Sequence, residues 1–79
     1  MRFTVERTSV ESSNIAAVGY DLHSQRLEVE FTGRGGAAGS VYQYVAVPPE
    51  LYERFMNSPS KGGFFAREIK GKFSAVRVQ

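Results

Sequence analysis

The chain has no cysteine, and the absence removes several chemistries at once. Disulfide staples, thiolate metal ligands and thiol nucleophiles are all excluded, and a small cysteine-free domain fits the cytosol better than a stapled secreted scaffold. There is a single histidine, His23, and no set of nucleophile, base and orienting partner accompanies it. No apolar run approaches the ~20 residues that a membrane-spanning helix needs. Residues 1–7 carry charge with no apolar stretch behind it, so neither a secretory leader nor a membrane partner is expected. Charge of either sign is also scarce in sum, at a net +2. With 79 residues there is room for one domain and one core. Six Phe, four Tyr and alternating aliphatic residues must supply that core.

The small net charge hides an uneven distribution. Residues 1–60 hold five basic and seven acidic side chains, whereas residues 61–79 hold Lys61, Arg67, Lys70, Lys72 and Arg77 against Glu68 alone. Positive potential is therefore gathered at one end of the sequence. A solvated face with a basic tail gives the same pattern, so charge alone does not assign a partner.

Periodicity supplies the elements. Phe3 and Val5 alternate with polar residues as a short edge strand or ordered arm would. Residues 15–22 read as a strand after the turn-forming Ser12-Ser13-Asn14, and residues 27–32 alternate strictly. That alternation puts Leu27, Val29 and Phe31 on one face and Glu28 and Glu30 in water. Residues 23–26 are few enough to force an antiparallel hairpin. A glycine-rich run over residues 33–39 precedes a third strand over residues 41–47. Pro48 and Pro49 end that strand and suit the first turn of a helix. Leu51, Tyr52, Phe55 and Met56 then mark one amphipathic helix, with Glu50, Glu53, Arg54 and Asn57 outward. Ser60 is placed to cap a second helix whose core stripe is Gly62, Phe65, Ala66 and Ile69, and Gly71 closes it. Residues 73–78 form the last strand. The expected class is α+β, a small antiparallel meander with a two-helix hairpin on one face, in the order β-β-β-α-α-β. Leu27, Val29, Phe31, Leu51, Phe55, Phe65 and Ile69 form its expected core.

Several constellations invite a functional reading. Glu28 and Glu30 have no His or Asp at ligand spacing beside them, so no metal is expected. Gly33-x-Gly35-Gly36 resembles a phosphate loop, but a strand rather than a helix follows, so it reads as a mobile hairpin loop. Arg34 at its tip remains a candidate backbone contact. Tyr42 and Tyr44 share one side of their strand, as rings that stack on bases do, although packing under the helices would use them equally well. In the second helix Arg67 and Lys70 share an exposed side and Lys61 stands in the first turn. Gly62 and Gly63 lower helix propensity, which makes sense where a ligand or a neighbouring backbone comes close.

The order Ser13-Asn14-Ile15, Val18-Gly19-Tyr20-Asp21, Tyr42-x-Tyr44-x-x-Val47-Pro48 and Ser58-x-Ser60-x-Gly62-x-Phe64-Phe65-x-x-x-Ile69-Lys70 resembles the KTSC domain family. These are small domains that stand alone or form the C-terminus of some lysyl-tRNA synthetases. The resemblance runs from about Val10 to Phe73, and the glycine run departs from the family's tighter second hairpin. It implies a role in nucleic-acid binding, and with no catalytic set in the chain the expected module is non-enzymatic and needs no cofactor. On this chain the expected contacts are Lys61, Arg67, Lys70 and Lys72, with Tyr42 or Phe64 stacking and Arg34 in support. The rival expectation is a protein-binding or self-associating module, a possible homo-oligomer, with no nucleic-acid role.

Overall fold

A computed structural model describes residues 7–9, 14–33 and 38–78. The expectations for Phe3, Val5 and residues 34–37 of the glycine run, Arg34 among them, lie outside those residues, while Ala38 and Gly39, expected in the loop, belong to a strand. Five antiparallel strands form one sheet in sequence order: β1 (Arg7–Ser9), β2 (Ile15–Asp21), β3 (Arg26–Thr32), β4 (Ala38–Tyr44) and β5 (Ala75–Arg77). Helix α1 (Pro49–Asn57) and helix α2 (Lys61–Phe64) lie between β4 and β5, and α2 continues as a wider π-helical turn over Phe65–Ile69. The α+β meander with a helical hairpin on one face is thus the architecture observed. Strand β1 is an addition that sequence pattern did not supply.

The tight connection between β2 and β3 has a local cause. The Asp21 carboxylate accepts hydrogen bonds from both the backbone N–H and the hydroxyl of Ser24, and Gln25 takes a left-handed φ of 54° to turn the chain. The Ser24 hydroxyl bond, above all, holds the Asp21 carboxyl below its usual range. His23 is exposed in this turn. After Tyr44 the chain leaves the sheet at Ala46, whose φ is 61°, so the third long strand ends earlier than its apolar pattern suggests. Val47 then ties that corner down, donating to Gln25 O at 2.8 Å and accepting from the Tyr20 hydroxyl.

One core fills the space between sheet and helices. Ile15, Val18, Leu27, Val29, Tyr44, Val47, Phe55, Phe64, Phe65 and Ile69 are buried there, and Phe31 and Leu51 pack half-buried at its margin. Tyr20 stacks on Tyr52 with centroids 4.5 Å apart, and Phe55 stacks on Phe64 at 5.6 Å, so rings from both helices reach the core. Ala66 is exposed, contrary to its expected place in the core stripe. With Phe64 and Phe65 both turned inward, the next residue rotates ~100° further and faces water. The π-helical turn, closed by Lys70 N–H to Phe65 O at 2.9 Å, still returns Ile69 to the core.

The opposite face of the sheet corrects a second expectation. Glu28 is not in water: it is 4% exposed, and Gln43 Nε2 donates to its Oε1 at 2.8 Å. Arg26 Nη1 donates in turn to Gln43 Oε1 at 3.2 Å. Strand register selects the partner. Glu28 lies between Gly19, which has no side chain, and Gln43, so it lies across the sheet against its amide partner. Among the described residues, no helix is long and apolar enough to cross a membrane.

Candidate nucleic-acid interface

The basic segment begins where α1 ends. Ser58 caps α1 and Ser60 caps α2, its hydroxyl accepting from Gly63 N–H at 3.2 Å. Lys61 reaches back across this corner, and its Nζ donates to Ser58 O at 2.8 Å. It is therefore half-buried and tied to the end of α1. The paired glycines also have distinct uses. A Cβ on Gly62 would lie 2.6 Å from Asn14 Oδ1, so the helix can approach the start of β2 only without a side chain there. A Cβ on Gly63 would lie 3.0 Å from Ser60 Oγ and 3.1 Å from Arg67 Nη1, which shows the Arg67 guanidinium folded back along the first turn.

Arg67, Lys70 and Lys72 are all exposed, and among the described residues none of them forms an ion pair. The turn beyond Ile69 holds the last two apart. Gly71 adopts a φ of +77°, a conformation that glycine takes without strain, and Lys72 N–H donates to Ile69 O at 3.0 Å. The chain thus carries three solvated cations across the outer side of the helix and around the turn into β5. Arg54, on α1, adds a fourth exposed cation, held 5.6 Å above the centre of the Phe64 ring.

Of the aromatic candidates, Phe64 is corrected: it is 6% exposed, between Phe55 and the Arg54 guanidinium, and offers no free ring face for a base. Tyr44 is buried edge-on against Phe65 at 5.5 Å, and this desolvation pushes its hydroxyl pKa up. Tyr42 is half-buried on the same face, edge-on to Phe31 at 6.0 Å. The structure therefore brings Lys61, Arg67, Lys70 and Lys72 onto one continuous segment, leaves Tyr42 partly open, and removes Phe64. Sequence reasoning missed Arg54 because it was assigned only to the outer side of α1. It passed over Arg77 too, although alternation with Val76 and Val78 separates Arg77 from its neighbours on the last strand. No group of three or more potential metal-binding His, Asp or Glu side chains occurs among the described residues.

The KTSC domain family model matches residues 11–73. This chain belongs to the KTSC domain family. A solved KTSC domain protein from Yersinia pestis is 38% identical and superimposes with a TM-score of 0.84, covering 96% of this chain and all of that one. A protein from Tsukamurella paurometabola is 42% identical over 69 residues, which is 87% of this chain and 96% of that protein. The lysine–tRNA ligase of Nostoc punctiforme is 44% identical over 63 residues, which is 80% of this chain. The KTSC chain spans only about a tenth of that ligase's length, the match being 10% of it. Likeness is thus to one segment of the ligase and to nearly the whole of the smaller proteins.

Proposed function

We propose that this KTSC domain is a non-catalytic module, acting in the cytoplasm, that binds single-stranded nucleic acid weakly through its phosphates. The observation that carries the reading is the set of exposed cations Arg67, Lys70 and Lys72 on one continuous segment, with no ion-pair partner among the described residues. Lys61 joins them at the helix start, because an ammonium with one donor on Ser58 O keeps two for a phosphate. Exposed cations of this kind release counterions when they meet a phosphate backbone, and their contact is not limited by sequence. The likeness to a segment of an enzyme that by name acts on tRNA agrees in kind of partner.

A second reading rests on the far edge of the sheet. Val76 is 52% and Val78 38% exposed, an apolar pair on β5 and just after it, which is the pattern of an edge that meets another protein or a second copy. Salt separates the two readings, since apolar association does not weaken as ions are added, whereas phosphate binding does. The direct test is the double variant Arg67→Gln, Lys70→Gln titrated with a fluorescent single-stranded oligonucleotide. It should bind more weakly than wild type and with a shallower salt dependence; binding equal to wild type would defeat the proposal.

A further inference from the structure

The helices do not cover their face of the sheet out to the β5 edge. Along that face two positions of β4 are differently placed. Tyr44 is sealed under Phe65, and its outer cross-strand neighbour is Ala75. Tyr42 is half-exposed, and its outer neighbour, directly opposite in the β4–β5 register, is Arg77. Directly opposed residues of an antiparallel pair project to the same face, so Arg77 and Tyr42 stand side by side on the helix-bearing side. Tyr42 is also supported from within, for its ring meets Phe31 and Phe31 meets Phe65 at 5.3 Å.

A phenol ring braced against the core with an arginine as its direct cross-strand neighbour, on an exposed edge strand, matches a flat unpaired ring better than it matches a phosphate alone. Nucleobases stack on tyrosine and on arginine planes with little regard to sequence. The position also suits the chain path, because the turn through Lys70, Gly71 and Lys72 leads from the exposed cations of the helix directly into β5. Resting on the phosphate-binding reading and deepening it, we infer that Tyr42 and Arg77 form a base-stacking subsite for an unpaired nucleotide of the bound strand. Duplex does not suit the site, because its bases are already stacked and paired.

The test compares intact and fully abasic oligonucleotides of equal length and charge, in ribose and deoxyribose forms so that a 2′-hydroxyl contact is read apart from stacking. Wild-type protein should bind the intact strand roughly 5- to 100-fold more tightly than the abasic one. Arg77→Gln and Tyr42→Leu should each shrink that ratio while leaving abasic binding and its salt slope as in wild type. A strand carrying a single 5-iodouridine, cross-linked to wild-type protein by ultraviolet light, should mark Tyr42 when the adduct is mapped; this arm keeps the test decisive if Tyr42→Leu fails to fold. Equal affinity for intact and abasic strands overturns the inference, as does an Arg77→Gln loss of the same size on both, which would make Arg77 a phosphate contact. In those cases the phosphate reading stands. Wild-type protein that binds neither strand at low salt overturns both.

Discussion

At the scale of single residues, burial separates those that hold the fold from those offered to a partner. Phe55 and Ile69 have no exposed surface, and Phe65 meets the rings of Phe31 and Tyr44. Truncating Phe65 to Ala should cost about 3–5 kcal/mol, comparable with the whole stability of a small domain, and thermal melting should show an unfolded or barely folded protein. Arg67 and Lys70 are exposed, so their double replacement by Gln should move stability by under ~0.5 kcal/mol. Glu28 is buried and unsuited as a control for charge. Glu28→Ala strands the Gln43 amide and should cost about 1–3 kcal/mol in denaturant unfolding, whereas exposed Glu53→Gln leaves the fold intact. Asp21 supplies a pH signature. Its carboxyl is held below the ordinary value, chiefly by the Ser24 hydroxyl, so the charged form is favoured in the folded state. Its contribution is complete above the ordinary aspartate range and is lost as pH falls through the lowered value. Melting of Asp21→Asn should therefore fall less on acidification than that of wild type.

At the scale of elements, the alternation of Leu27, Val29 and Phe31 and the spacing of Leu51, Tyr52, Phe55 and Met56 made β3 and α1 legible from sequence. Each turns its large apolar side chains to one face only, and period alone then fixes which face meets the core. The rest depended on contacts that a one-dimensional pattern does not hold. Glu28 reads as solvated by alternation, yet it is buried together with Gln43, the amide partner that strand register sets opposite it. Phe64 and Phe65 both face the core, and the π-helical turn that then returns Ile69 to it has no sequence period of its own. Strand β1 covers three residues, too few for alternation to mark. The glycine-rich region also includes a fixed point, since β3 and β4 shift register between Glu30 and Thr32 and a Cβ on Gly39 would stand 1.8 Å from Phe31 O. Gly39→Ala must displace backbone there, and should lower stability by about 1–3 kcal/mol in a denaturant titration. A wild-type midpoint for that variant would contradict the close approach of the two strands.

At the scale of the whole molecule, the sheet carries its core on one side and a hydrogen-bonded polar row on the other, while the solvated cations collect on the outer helix and its exit turn. That separation lets binding be altered without loss of fold, and it makes ionic strength the sharpest probe of function. The candidate site was legible from sequence as a charge-rich segment, because Lys61, Arg67, Lys70 and Lys72 are close along the chain. Its aromatic part was not, because which of Tyr42, Tyr44 and Phe64 stays open is decided by packing between distant elements. The measurement that bears most directly on the central claim is the affinity of wild-type protein for a single-stranded oligonucleotide across a series of salt concentrations. Contacts from Lys61, Arg67, Lys70 and Lys72 predict a log–log slope of about −3, from roughly −0.7 per phosphate on single strands, and a slope closer to zero for Arg67→Gln, Lys70→Gln. An affinity that does not change with salt, or no binding at the lowest salt, would contradict it.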